Sequence, residues 1–177
     1  MKYEKTVKQT VGIFIKNWVV LSVSTLVVIA LGCLTLGLLF GPLMAGQAGM
    51  FIKAKNGKKP VFDDLFKFNS KFIPMAVMGL MAGIGIMFGT IFLILPGLLL
   101  AALWMYSLYA MAFDNMGIFA SMKKSWDMVM KNGIWQQLVI LLCICVLQSI
   151  GGAIVIGTLV TFPLSMGFLA MLYEENK

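Results

Sequence analysis

The sequence predicts an all-α, polytopic membrane helix bundle. It is expected to hold three helical hairpins, six transmembrane helices in all, with an amphipathic cytoplasmic or interfacial helix before each hairpin. Three observations predict it. Apolar residues make up 60% of the 177 positions and charged residues 12%, with a mean hydropathy of +0.95. A soluble domain carries about 25% charged residues and could not hide this much apolar surface at this length. The charges are also clustered, leaving the spans 17–52, 72–113 and 132–173 without any; each is about twice the roughly 20 residues that one crossing needs. Finally, each span carries a proline where it would have to double back: Pro42, Pro96 and Pro163.

The first unit covers 1–54. Tyr3, Val7, Val11, Phe14 and Trp18 recur at helical spacing, with Lys2, Lys5, Lys8 and Lys16 mostly off that stripe. Such a helix lies in the membrane interface with its lysines towards the headgroups, or docks on the end of the bundle. Apolar sequence then runs to Gly41-Pro42. Proline is harmless in the first turn of a helix, where its missing N–H has no partner to lose, so Pro42 is expected to open the returning helix.

The second unit covers 55–114. Phe62, Leu65, Phe66 and Phe72 or Ile73 form a stripe beside Asp63, Asp64, Lys67 and Lys71. Pro74 falls at the start of the third crossing and Pro96-Gly97 at the turn that follows it. A kinked single helix is the competing reading of Pro96. It would leave a rod of about 54 Å against a bilayer core of about 30 Å.

The third unit covers 115–177. Ile118, Met122, Trp126 and Val129 are striped beside Lys123, Lys124, Asp127 and Lys131, and apolar sequence runs from Trp135 to Phe162-Pro163. Trp18 and Phe72 precede their prolines by the same spacing, and Trp135 precedes Pro163 by one helical turn more. A weak threefold repeat within a single membrane domain, 1–177, is therefore expected.

If every span crosses twice, all charged segments share one face. Lysines dominate 2–16 and 53–71, and lysine-rich loops stay cytoplasmic, which places the chain in the cell (cytoplasmic) membrane with both termini inside. Trp18, Trp126 and Trp135 suit an aromatic belt. The net charge of +7 comes with no basic aromatic stripe. It reads as orientation and contact with anionic headgroups, with Lys53, Lys55, Lys58, Lys59, Lys123 and Lys124 as contacts, and no nucleic acid as partner.

Catalysis needs acids, bases, nucleophiles or metals gathered in one place. The chain has no histidine, and no charge falls inside an expected crossing. No catalytic residue, metal site or cofactor is expected. Gln47, Gln148, Ser149 and Asp114 remain as candidates for interhelix polar contacts or a cavity lining, with Asp114 otherwise a solvated helix end. Tyr106 and Tyr109 lie deep in the fourth crossing, where their hydroxyls need partners. Gly79-x-x-x-Gly83 and Gly85-x-x-x-Gly89 offer close helix approach. Cys33, Cys143 and Cys145 read as small packing residues.

The order of several short motifs resembles a known family. Phe40-Gly-Pro-Leu-Met-Ala-Gly46 is followed by a lysine-rich loop, Val61-Phe-Asp-Asp-Leu-Phe66 and Ile94-Leu-Pro-Gly97. Lys124-Ser-Trp126, Met130-Lys-Asn-Gly133, Phe162-Pro163 and Leu172-Tyr-Glu-Glu175 come after them. This order is similar to a bacterial family of uncharacterised six-helix membrane proteins, related to the membrane domain attached to some glycerophosphodiester phosphodiesterases. The resemblance implies a polytopic protein of the bacterial cytoplasmic membrane and supplies no substrate or catalytic residue. The leading expectation is a non-enzymatic membrane protein that interacts with lipids or with a partner, either a second copy or another membrane protein. A small-solute transporter or pore with a midplane polar cavity is the alternative. A lipid-modifying enzyme, using Asp114, Asp127 or Asp63-Asp64, is the third.

Overall fold

The computed structural model describes residues 2–67, 71–92, 94–153 and 155–177, and they fold almost wholly as helix. In chain order these are α1 (Lys2–Lys16), α2 (Trp18–Leu34), α3 (Phe40–Lys55), a 3-10 turn (Phe62–Phe66), α4 (Phe72–Phe92), α5 (Ile94–Trp104), α6 (Ser107–Asp114), α7 (Ile118–Asn132), α8 (Ile134–Ala153) and α9 (Val155–Asn176). The boundary aromatics mark helix starts: Trp18 begins α2, Phe72 begins α4, and Trp135 lies in the first turn of α8.

Of the three amphipathic stretches, the first and third fold as full helices, α1 and α7. The second is only a 3-10 turn as far as Phe66, and residues 68–70 of that stretch lie outside the described residues. α1 and α7 close in the same way. The Asn17 amide donates to the Ile13 carbonyl at 3.0 Å, and the Asn132 amide to the Met128 carbonyl at 2.8 Å. Each side chain caps a carbonyl one turn back, near the helix end where backbone partners run out. The chain then changes direction. α2 leaves α1 at 93°, and Gly133, at φ +90, carries α7 into α8.

Pro42 and Pro96 both fall in the first turn of a helix, α3 and α5. Pro163 does not open a helix. It sits inside α9, which continues through it from Val155 to Asn176. α8 ends at Ala153 and α9, which packs back against it, begins at Val155; residue 154 lies outside the described residues. Glycine makes that packing feasible: a Cβ on Gly157 would lie 2.7 Å from the Gly151 carbonyl oxygen. The backbones cross too closely there for any larger residue.

Among the described residues, four segments are long and apolar enough to cross a membrane: Phe72–Ile91, Leu95–Asp114, Ile134–Ala153 and Ile156–Asn176. The bent pair α1–α2 makes a fifth if counted as one span. α2 alone has 17 residues. α3 has 16, with Lys53 and Lys55 in its last turn, and nine of them are buried, Gln47 included. It is an interior helix. It packs against α2, α4, α9 and the 3-10 turn, so that α3 and the C-terminal half of α9 form the axis of the bundle.

Polarity is inverted relative to a soluble fold. The two most apolar spans, in α4 and α8, are the least buried, at 17% and 11% against 50% and 56% for the other two. Meanwhile Thr6, Thr10, Ser24, Thr25, Gln47, Ser121, Ser125 and Gln137 are buried. Water would penalise both features. A hydrocarbon solvent reverses the sign, because polar groups then gain most by finding one another inside.

Candidate functional site

Gln47 on α3 is fully buried against α2. Its amide nitrogen donates to Thr25 Oγ1 at 2.6 Å, and to the Leu21 carbonyl and Ser24 Oγ at 3.3 and 3.4 Å. Its Oε1 is buried with no partner among the described residues. Gln148 on α8 faces α9. It accepts from Thr161 Oγ1 at 3.1 Å and donates to Ser165 Oγ at 3.2 Å. Both glutamines therefore act as interhelix contacts. Ser149 does not: it is exposed and donates to the Cys145 carbonyl of its own helix at 2.9 Å. One residue beyond Gln148 along the helix, it points about 100° away from α9.

Asp114 ends α6, followed by Asn115 in the left-handed conformation at φ 60. It is not a solvated helix end. Its Oδ2 accepts from Lys124 Nζ and from the Tyr173 hydroxyl, and Lys177 Nζ lies 3.3 Å from its Oδ1. The Lys124 ammonium also sits 5.7 Å over the Tyr173 ring, a favourable cation–π distance. Tyr173 in turn packs on Tyr106, Tyr109 and Phe113. This cluster ties α6, α7 and the C-terminus together.

Other contacts bring the first turns of α1 and Lys71 to the same end. Thr6 donates to Glu175 at 2.9 Å, Tyr3 to Gln136 at 3.2 Å, and Lys71 reaches the Met111 carbonyl at 3.5 Å. Of the headgroup candidates, Lys53 is held by Asp64 at 2.6 Å and Lys124 by Asp114, so those two ammonium groups are occupied within the protein. Lys58, Lys59 and Lys123 are exposed and Lys55 is half-buried. Burial raises the Asp64 carboxyl. Hydrogen bonds from Lys53 and the Val61 N–H, with Lys67 nearby, outweigh that and hold it below its ordinary 3.8.

Sequence reasoning missed two interior residues. Ser125 of α7 enters the break between α5 and α6. It accepts the Tyr106 N–H at 3.1 Å and donates to the Leu103 carbonyl at 2.6 Å. Gln137 of α8 is fully buried and accepts the Tyr106 hydroxyl at 2.9 Å. That satisfies one of the two tyrosine hydroxyls expected to need partners; Tyr109 reaches Met166 Sδ at 3.5 Å. Ser125 looked unremarkable beside Trp126 on an amphipathic helix. Gln137, one turn into an apolar run, was a visible signal.

The glycines divide by what they touch. Gly79 faces Gly41, Gly85 faces the Trp104 ring, and Gly89 meets Gly97 with a would-be Cβ only 2.8 Å from its Cα. A Cβ on Gly83 would meet nothing within 4 Å among the described residues. The three cysteines do not fill the core; all are free and exposed.

One hollow stands out. A groove of about 750 Å³ opens between α1, α8 and α9, with Val7 and Val11 on one wall, Val139 and Cys143 on another and Phe168 on the third. Compared with known protein families, curated proteins and solved structures, the chain finds no match in any of the three.

Proposed function

We propose that the protein is a non-enzymatic integral membrane protein of the cell membrane that binds lipids or a membrane partner. In this reading it crosses six times in three hairpins, a helix number the resemblance of its motif order also implies, and the lysine bias puts both termini in the cytoplasm. One observation carries the reading: the helices richest in apolar residues turn outward, while the hydroxyl and amide side chains are gathered inside. That arrangement is stable only where the surroundings are hydrocarbon. α2 and α3 cross as a pair because α3, though less apolar, is sheltered by α2, α4 and α9.

The polar interior supports packing over transport. Gln47 and Gln148 spend their amide nitrogens on neighbouring helices, and the 750 Å³ groove has apolar walls. The carboxylates support a structural role over chemistry: Asp114 and Asp64 are engaged by lysines on different elements.

The test is insertion followed by topology. The protein should stay with the membrane through an alkaline carbonate wash; release into the supernatant would overturn the reading. Single cysteines at Leu36, Leu95 and Gly152, in a background lacking Cys33, Cys143 and Cys145, should react with an impermeant thiol reagent from outside the cell. Cysteines at Lys58 and Lys123 should react only after lysis. Labelling of the first set from inside only would reverse the orientation.

A further inference from the structure

Building on the membrane reading above, we propose that the groove between α1, α8 and α9 holds one acyl chain of an anionic phospholipid from the lysine-side leaflet. Three observations on the groove converge on that occupant.

The first is depth. The groove runs along α8 from Trp135 to Leu147, about 18 Å at the α-helical rise. One leaflet of hydrocarbon is about half of the roughly 30 Å core, so the hollow reaches from the membrane boundary to near mid-depth and no further. α1 walls it along that length, since Thr6 meets Glu175 and Thr10 meets Met171, so that α1 runs antiparallel to α9.

The second is wall chemistry. The hydroxyls along the groove already have partners. Tyr3 donates to Gln136, Thr10 to the Thr6 carbonyl at 2.8 Å, and Ser165 to the Thr161 carbonyl at 2.9 Å. What faces the hollow is hydrocarbon from Val7, Val11, Val139, Leu147 and Phe168. An occupant needs no hydrogen bond of its own, which suits an alkyl chain and not a polar solute. A packed second helix would instead call for small residues that let backbones approach, and this wall is built of large branched ones.

The third is charge. Lys5 near the start of α1, and Lys131 four residues before Trp135, are both exposed and lie towards the mouth end. The Tyr3–Gln136 hydrogen bond bridges α1 to α8 at that same end. Phosphate attached to a chain in the groove would emerge beside these lysines, each contributing about fivefold in affinity for an anionic surface.

The test uses the full-length protein in vesicles of phosphatidylcholine and phosphatidylglycerol at three to one. A trace of either lipid carries a photoreactive diazirine midway along one chain. Adducts should concentrate on the groove face of α8 and on Phe168, and should be several-fold more abundant with phosphatidylglycerol than with phosphatidylcholine. Cys143→Trp and Val139→Trp fill the hollow at exposed positions and should each cut the adducts at least fivefold. Val146→Trp, exposed on α8 but not lining the groove, should leave them unchanged. Lys131→Gln should lower the phosphatidylglycerol signal about fivefold and spare phosphatidylcholine.

Adducts spread evenly over the outer faces of α4 and α8, or equal labelling by the two lipids, would overturn the proposal and leave the membrane reading standing. So would efficient bis-maleimide linkage of Cys143 between two copies in a Cys33→Ala, Cys145→Ala background, which would make the occupant a second chain. Failure of the protein to enter the vesicles at all would instead remove the membrane reading itself.

Discussion

The Ser125 hydroxyl accepts the backbone N–H of Tyr106 at 3.1 Å, bridging the break where α5 ends and α6 begins. The same hydroxyl donates to the Leu103 carbonyl at 2.6 Å. One side chain from α7 thereby serves a donor and an acceptor that the helix interruption has left open. Sharp helix breaks have such causes, and an inserted polar side chain is one of them.

Ser125→Ala should therefore cost more than the loss of one hydroxyl. It strands two buried backbone groups, at about 1–3 kcal/mol for a buried group left without its partner. Equilibrium unfolding in detergent micelles, followed by circular dichroism, should show a lower midpoint. A midpoint equal to that of the unchanged protein would mean that the α5–α6 break is held by packing alone.

Two glycine substitutions should behave oppositely. A Cβ on Gly46 would fall 2.0 Å from the Leu65 carbonyl oxygen, so Gly46→Ala must push the 3-10 turn away from α3. Overpacking of this kind costs about 1–3 kcal/mol. Gly83 has open space around it among the described residues, and alanine there should stabilise α4 by up to about 1 kcal/mol through helix propensity. Protease cleavage within 56–67 reads the first change, since a displaced turn is cut faster. Equal cleavage in both variants would show that the turn is not seated on Gly46.

Much of this fold was legible because membrane constraints are coarse. Charge-free spans located the long helices, and Trp18, Phe72 and Trp135 marked their starts. Pro42 and Pro96 stand in the first turns of α3 and α5, where a missing N–H costs nothing. Pro163 misled because a proline can be carried inside a long helix packed on its neighbours, and Gly151 and Gly157 instead allow the close packing of α8 on α9. The bury-or-expose pattern of α3 was not legible: Gly41, Gly46 and Gln47 look equally at home in an outward-facing helix until α4, the 3-10 turn and α2 are known to pack on them. Asp114 was placed correctly at a helix end. Its engagement by Lys124, Tyr173 and Lys177 depends on tertiary proximity that spacing does not encode.

Acid should weaken the link between α3 and the 3-10 turn. The Asp64 carboxyl is held below its ordinary 3.8, so the folded state binds its proton less readily than the unfolded chain does. Its contribution is full above the ordinary value and is lost as pH falls through the lowered one. For a partly exposed pair such as Lys53 and Asp64, at 27% and 12% side-chain exposure, that contribution is about 1 kcal/mol. Asp64→Asn should lower stability near neutral pH and converge with the unchanged protein in strong acid. Parallel curves across the whole range would mean that the carboxylate contributes nothing through its charge.

The Gln47–Thr25 contact should show an asymmetry between its two partners. Thr25→Val keeps shape but removes the acceptor 2.6 Å from the Gln47 amide, leaving a buried N–H₂ with only its two longer contacts to Leu21 and Ser24. Gln47→Met removes the whole amide, including the Oε1 that has no partner among the described residues, and so deletes a cost along with a gain. Thr25→Val should accordingly be the more damaging single change. In the Gln47→Met background the same change should be nearly neutral, because replacing both partners of a buried hydrogen bond by apolar groups leaves nothing stranded. A double-mutant cycle in detergent should return a coupling of about 0.6–1.7 kcal/mol, the range seen for hydrogen bonds between membrane helices. A coupling of zero would mean that α2 and α3 are joined by their apolar surfaces alone.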